Sequence, residues 1–145
     1  MTTALSAFAG TVLDKSEKKP IVITSATLTA DNKNNTAIFE GDVKAETGDL
    51  VMYSDKMTVY YDNSENKVKK IHAAGNVKVH NNDRALFSEE AVYMYSDEKI
   101  IFSGNPKAVE GENVITGTQI IFFLKDDRAV VEQSRVILQH TQGLK

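Results

Sequence analysis

Apolar and polar residues alternate along most of this chain, and the alternation is clearest in residues 71–80. The odd positions there are Ile, Ala, Gly, Val and Val, whereas the even positions are His, Ala, Asn, Lys and His. Successive side chains of a β-strand point to opposite faces, and a helix would scatter both sets around its axis. The pattern therefore predicts a strand with one mostly apolar face and one mostly polar face.

The strand pattern recurs, which makes the chain a tandem array. Each repeat offers an apolar face that it cannot bury alone, so stacked repeats are expected to share one interior. A first strand type carries the sequence Gly-Asp/Asn-Val/Pro-Lys and occupies residues 37–45, 71–80 and 100–108, with a degenerate copy at 130–136. A second type occupies residues 22–30, 51–61, 85–95 and 114–124, with a recurring Ser or Gly at positions 25, 54, 88 and 117.

Short clusters of Asn, Asp and Gly separate the predicted strands, and no helical pattern interrupts them between Ile21 and Gln139. These residues tolerate the left-handed backbone conformations of tight hairpins, so each cluster is expected to reverse the chain and give an antiparallel, all-β fold. In the third copy Pro106 replaces Val, which predicts a bulge or an edge there. The predicted reversals lie at residues 31–35, 46–49, 62–66, 81–83, 96–98, 110–113 and 125–127.

The composition limits the class of protein. The 145 residues suffice for one domain, and a net charge of −3 gives no basic surface for nucleic acid. The lack of cysteine excludes disulfides, CxxC zinc sites and thiol nucleophiles. No apolar run approaches the ~20 residues of a membrane-spanning helix. We divide the chain into a leader at residues 1–19, a β-domain at 20–139 and a tail at 140–145.

The leader has two interpretations. Residues 1–10 contain Ala7-Phe8-Ala9, a small-x-small pattern typical of signal-peptidase cleavage. The apolar stretch is short, however, and no basic region precedes it. The leader is therefore either the remnant of an export signal or an Ala-rich start that arose by chance.

The odd or even position of a residue on its strand, here called its parity, identifies the side chains that should face the interior. All of these side chains are aliphatic or aromatic. They could fill a sandwich core ~10 Å thick, or they could line an elongated apolar groove that accepts acyl chains. Periodicity does not separate these two interpretations. The predicted lipid-binding, inward-facing positions are Ile21, Leu28, Phe39, Val43, Val59, Ile71, Val77, Val79, Phe87, Tyr93, Phe102 and Phe122.

Several segments resemble the OstA-like domain of the LptA family of periplasmic lipopolysaccharide transport proteins, and together they cover about residues 20 to 139. The order, spacing and number of these segments carry the resemblance, because single pieces such as Gly-Asn-Val are weak signals. The segments are Pro20-Ile21-Val22-Ile23-Thr24-Ser25, Leu28-Thr29-Ala30-Asp31, Phe39-Glu40-Gly41-Asp42-Val43, Ser54-Asp55-Lys56-Met57 and Phe102-Ser103-Gly104-Asn105.

The resemblance implies an open, twisted β-jellyroll of two facing antiparallel sheets and a periplasmic protein that carries lipopolysaccharide from the inner to the outer membrane. It also implies head-to-tail assembly with further copies and with jellyroll domains of an inner-membrane and an outer-membrane partner. We expect the free periplasmic bridge, because neither the anchor of the inner-membrane member nor the barrel of the outer-membrane member is recognised in these residues.

The first and last strands are expected to be open sheet edges, and an open edge is a template for another strand. A first edge that meets the last edge of another copy makes a heterologous contact, which propagates as a filament. The alternative is an edge that is protected within the monomer. The predicted assembly residues are Val22, Thr24, Val131, Gln133 and Arg135.

The sequence gives no sign of an enzyme, a metal site or a cofactor. His72 and His80 lie eight residues apart on one predicted strand, about 26 Å, so they cannot share a metal, and His140 belongs to the tail. The recurring serines follow the repeat, and no phosphate-binding loop is present to supply energy. Besides the bridge, two interpretations remain: a lipid carrier that works alone, and a structural β-repeat module with a dry core.

Overall fold

The computed structural model describes residues 21–64 and 67–139, so the predicted leader and the tail with His140 lie outside the described residues. The described part is all-β, and each predicted reversal falls between two strands. None of its elements is a helix that is both long and apolar enough to cross a membrane. The strands are β1 (Val22–Thr24), β2 (Thr27–Asp31), β3 (Thr36–Thr47), β4 (Leu50–Asp62), β5 (Lys67–Asn81), β6 (Arg84–Met94), β7 (Lys99–Ser103), β8 (Lys107–Glu110), β9 (Asn113–Thr116), β10 (Gln119–Phe123), β11 (Arg128–Glu132) and β12 (Arg135–Ile137).

Four long strands, β3 to β6, each belong to two half-sheets of one antiparallel sheet. The first half-sheet has the order β2-β3-β4-β5-β6-β7-β10-β11, and the second has the order β1-β3-β4-β5-β6-β8-β9-β12. The inner faces of both contribute to one apolar core, with Phe39 and Val59 from the first half-sheet and Val43 and Val77 from the second. This open arrangement of two facing antiparallel layers confirms the predicted jellyroll-like fold.

The line along which the sheet changes from one half to the other, here called the corner, is built from the recurring glycines. Gly41, Gly75 and Gly104 have φ angles of 89°, 89° and 81°, and the Asp or Asn that follows each of them also has a positive φ. A Cβ atom at position 75 would lie 2.5 Å from a carboxylate oxygen of Asp55 on the neighbouring strand. Glycine is required because only it combines this backbone conformation with such a close approach.

The recurring serines form the other half of the corner. The hydroxyl groups of Ser25, Ser54 and Ser88 each donate a hydrogen bond to the backbone carbonyl two residues later, at 2.8, 3.1 and 2.9 Å. Asn76 donates from its side-chain amide to the Asp55 carboxylate at 2.9 Å. The serine bonds are local and fix the bend in each strand, whereas the Asn76–Asp55 bond joins the bends of β5 and β4. The repeated Ser is thus a backbone-shaping residue.

At the corner, the inward-facing positions of one strand type change from even-numbered to odd-numbered residues. The prediction that Phe87 faces inward is therefore wrong. Between Glu40 and Val43, strand β3 has two residues opposite one residue of β4, as in a β-bulge. The first strand type therefore keeps its parity, whereas the second type changes from even to odd inner positions. Before the corner Leu86 faces the core and Phe87 faces outward, paired with Lys78 of β5.

Pro106 lies where β7 ends and β8 begins, so the predicted irregularity is confirmed. In the first two copies the strand continues through the corner as β3 and β5, but in the third copy it is broken between Ser103 and Lys107. Pro106 itself is fully buried. Because proline has no N–H group, it occupies the crossing point without leaving a buried donor unpaired.

Both ends of the described sheet are edges. At the N-terminal end β1 and β2 pair only with β3, and at the C-terminal end β11 pairs with β10 while β12 pairs with β9. The last predicted strand is split in the structure, because Gln133 has a φ angle of 53° and lies in the turn between β11 and β12. Each edge therefore consists of two short strands that meet at the corner.

Candidate functional site

A cavity of about 440 Å³ lies between the inner faces of the two half-sheets. Its size falls within the range of ligand-binding pockets in proteins, and its walls are mostly aliphatic and aromatic. Both half-sheets contribute to it, so the cavity exists only in the assembled fold. The apolar lining residues are Ile21, Ile23, Ala45, Leu50, Met52, Met57, Val68, Ile71, Tyr93, Tyr95, Ile100 and Leu124.

The mouth of the cavity lies at the hairpin turns opposite the corner. On the second half-sheet its lip is the β3–β4 hairpin, with Thr47 and Leu50. On the first half-sheet its lip includes Glu98 of the β6–β7 turn and Lys125 of the β10–β11 turn. Since Lys125 is exposed, the cavity reaches the surface on this side. An apolar interior with a polar rim can hold a hydrocarbon chain while a polar head remains in water.

The predicted inward-facing residues divide into four groups. Ile21, Ile71 and Tyr93 line the cavity. Leu28 faces the same side as its cross-strand partner Phe39, but it is 41% exposed because β2 is an edge strand. Phe87 faces outward, as described above. The others are in the packed core or against it: Phe39, Val43, Val59, Val77, Val79, Phe102 and Phe122.

The interior is therefore filled in one part and open in another, and sequence parity could not locate the open part. The prediction missed Met52 because the inward residues of β4 are odd-numbered after the corner, as at Met57 and Val59, but even-numbered before it. Strict alternation from Met57 therefore assigns Met52 to the outer face. Val68 was missed because a second register shift, where Tyr60 pairs with Lys70 but Tyr61 pairs with Val68, turns an even-numbered residue of β5 inward. Ala45 was missed because parity gives no measure of the separation between the half-sheets. A count that treated each Gly-Asp/Asn pair as a bulge would have found Met52.

The tyrosines of the interior remain uncharged at neutral pH. Burial raises the pKa of Tyr93 to about 12, and the neighbouring Tyr95 and Glu98 act in the same direction. Burial also raises the pKa of Tyr61, a core residue beside the cavity-lining Val68, to about 12. The Tyr93 and Tyr95 rings meet edge to face at 6.4 Å. The Tyr93 side chain thus adds no charge to the wall, as an apolar ligand requires.

The described residues contain no group of three or more His, Asp or Glu side chains that could hold a metal ion. His72 lies 3.3 Å from the Glu90 carboxylate, and His80 stacks on Tyr53 with ring centroids 6.0 Å apart. Both histidines lie away from the cavity lining. Their contacts are those of surface side chains on the outer faces of the sheet.

The predicted assembly residues lie at the two edges with unequal exposure. Val22, 55% exposed, and Thr24 project from β1, and Arg135 is exposed on β12. Val131 is half-buried on β11, where it packs against the core. Gln133 belongs to the turn at the corner, so its main chain is part of the bend and does not form an edge strand.

The sequence of this protein matches a known family, and its fold resembles that of a known protein. Residues 22–128 match the family described as "LptA/(LptD N-terminal domain) LPS transport protein". No curated protein matches the sequence significantly. The fold is similar to that of LptH from Pseudomonas aeruginosa, described as the LptA homologous periplasmic component of the lipopolysaccharide transport device. The TM-score is 0.73 and the identity 13%, with 85% of this chain and 97% of that chain covered. The protein belongs to the LptA/(LptD N-terminal domain) family of LPS transport proteins.

Proposed function

We propose that this protein binds lipopolysaccharide by its acyl chains in the cavity and passes it across the periplasm towards the outer membrane. The observation that carries the proposal is the apolar cavity, which both half-sheets line and which opens beside a polar rim. Each methylene that leaves water contributes ~0.8 kcal/mol, so a chain of about a dozen carbons resists exposure by roughly 10 kcal/mol. A covered path removes this barrier to movement.

The two sheet edges support a head-to-tail array of such jellyrolls. Their inner faces carry apolar side chains that the monomer leaves exposed: Leu28 at the N-terminal edge and Val136, 49% exposed, at the C-terminal edge. Strand addition between these edges would cover both residues and satisfy the open backbone groups. It would also join the interiors of successive copies into one path. Jellyroll domains of an inner-membrane protein and of an outer-membrane protein are the expected partners at the ends of the array.

The internal repeat predicts the register of this junction. Within the chain, Lys44 pairs with Tyr53 and Lys78 pairs with Phe87, each time where a first-type strand meets a second-type strand. Arg135 occupies the position of these lysines in the last copy, and Thr24 occupies the position of the aromatic residues in the first. We therefore expect Thr24 of one copy to lie opposite Arg135 of the next.

Site-specific photocrosslinking tests the proposed function. A photoreactive residue at Met52, which lines the cavity, is expected to form an adduct with lipopolysaccharide in cells that contain the transport system. The same residue at Val92, which pairs with His72 on the outer face of the first half-sheet, is the matched control and should label little or no lipid. Equal labelling from both positions, or no adduct from Met52 in a folded protein, would contradict acyl-chain binding in the cavity.

A carrier that works alone is the second candidate, because the cavity lies within a single chain. It predicts the same adduct from Met52 but no association between copies. The size of the protein as a function of its concentration separates the two candidates. A module with a wholly filled core is disfavoured by the cavity itself.

A further inference from the structure

The outer face of the second half-sheet carries a straight row of alternating cationic and aromatic residues. Strand pairing places Lys44, Tyr53, Lys78, Phe87 and Lys107 opposite one another on consecutive strands. Beyond Lys107 the row continues through Thr116 to Arg135 on the edge strand β12. The cations of this row are here called the outer cation row, and they are Lys44, Lys78, Lys107 and Arg135. Successive cations lie two strands apart, about 10 Å between their backbone positions.

The contacts along the row hold the lysines over the aromatic rings. The Lys44 and Lys78 ammonium groups each lie 6.0 Å from the centre of the Tyr53 ring, and Lys78 and Lys107 each lie 5.8 Å from the centre of Phe87. Lys44 also forms an ion pair with Glu46 at 2.8 Å. Among the described residues, no carboxylate pairs with Lys78 or Lys107. These two ammonium groups are thus positioned by cation–π contacts and, within the described residues, are not bound by a carboxylate that a ligand would have to displace.

The row lies close to the cavity mouth along the outside of the sheet. Leu50 lines the mouth, and Tyr53 lies three residues further along the same strand, about 10 Å away. On the adjacent strand, Thr47 of the lip and Lys44 of the row are separated by the same distance. A polar chain that leaves the mouth can fold over the β3–β4 hairpin and reach the row.

We propose that the outer cation row binds the phosphorylated sugar portion of lipopolysaccharide while the acyl chains occupy the cavity. The inference rests on the proposed function. Lipopolysaccharide joins acyl chains to an anionic, phosphorylated sugar chain, and lysine ammonium groups bind phosphate as point charges. A linear anionic chain matches a line of cations at regular spacing. The sheet would then guide both parts of one molecule, one on each of its faces.

The row also continues across the proposed head-to-tail junction. If Thr24 of the next copy lies opposite Arg135, then Lys44 of that next copy, which pairs with Thr24, lies on the second strand beyond Arg135. The alternation of cation and non-cation therefore passes from one copy to the next without a gap. A sugar chain could move along the array between sites of similar affinity.

Binding of a deacylated, phosphorylated oligosaccharide prepared from lipopolysaccharide tests the proposal at low salt, where surface charges are least screened. The variant Lys78→Glu/Lys107→Glu should weaken binding about tenfold or more, the effect expected from loss of at least one charge-assisted hydrogen bond. The matched control is Lys33→Glu/Lys69→Glu, which makes the same change in charge at exposed positions of the β2–β3 turn and of β5 and should bind like the parent. A dephosphorylated oligosaccharide should bind weakly to all three proteins.

The outcomes separate this proposal from the proposed function. Direct binding of an uncharged apolar fluorescent probe reports the cavity, and its affinity should be equal in the parent and in Lys78→Glu/Lys107→Glu. If lipid A displaces the probe but the parent does not bind the oligosaccharide, the outer cation row has no such role and acyl binding stands. Equal loss in both charge variants, or stronger binding to phosphatidylglycerol vesicles than to the oligosaccharide, would also overturn the proposal.

Discussion

At the scale of single residues, the corner shows backbone conformation selecting the amino acid. The Gly-Asp/Asn pairs adopt left-handed conformations, and the neighbouring Ser residues bind the carbonyl groups that the bend releases. Two constraints require glycine at position 75, because its φ is 89° and Asp55 leaves no room for a Cβ atom. The bend of the whole sheet depends on a few positions of this kind.

Replacement of Gly75 by Ala is expected to lower the free energy of unfolding by about 2–4 kcal/mol, since the left-handed conformation and the clash with Asp55 add. The control is Gly111→Ala, because Gly111 has a φ of 63° but no atom within 4 Å of an added Cβ. It should cost only about 1–2 kcal/mol. Urea denaturation of the two variants measures the difference, and equal losses would show that the close approach at Gly75 is not limiting.

At the scale of the strands, the hydrophobic pattern predicted every reversal and both strand types, because alternation and turn residues are local signals. It failed where β4 and β6 cross the corner. There one strand has an extra residue relative to its neighbour, so Phe87 faces Lys78 and solvent while Leu86 enters the core. The cavity could not be predicted, because its volume depends on the separation of the half-sheets, which no single strand records.

Filling the cavity from β3 should block the ligand without unfolding the protein. Ala45 lines the cavity, so Ala45→Phe is expected to lower affinity for lipid A about tenfold or more, measured by displacement of an apolar probe. Its stability should change by no more than about 1 kcal/mol, because the ring occupies existing space. Ala85→Phe is the control, since Ala85 pairs with His80 on the outer face. Unchanged lipid binding by Ala45→Phe would place the acyl chains elsewhere.

At the scale of the whole molecule, the family identifies a transport protein and not an enzyme, and the fold suits that role. Two layers enclose an apolar interior, and the described sheet ends in an open edge on each side. The edges were predicted from strand order alone, because the first and last strands of an antiparallel array have no further partner in the chain. Their division into β1 and β2, and into β11 and β12, depends on the corner.

Association between copies is expected to require the exposed apolar side chain of Val136 at the C-terminal edge. In Val136→Asp a carboxylate would be buried at the junction, so the variant should remain monomeric at concentrations where the parent associates. Asn32→Asp, in the exposed β2–β3 turn, makes a similar change in charge and should associate like the parent. Light scattering over a concentration series provides the measurement, and association of Val136→Asp at parental strength would exclude this edge contact.

The even number of strands in each half-sheet limits how relatives of this protein can differ in length. Each described half-sheet has eight strands, so its first and last strands run in opposite directions. Duplication of a whole repeat adds a pair of strands to each half-sheet, lengthens the molecule by about 10 Å and leaves the polarity of both ends unchanged. Gain or loss of a single strand would make the two ends run in the same direction, and the proposed antiparallel pairing between copies could not form. Relatives of different span should therefore differ by complete repeats.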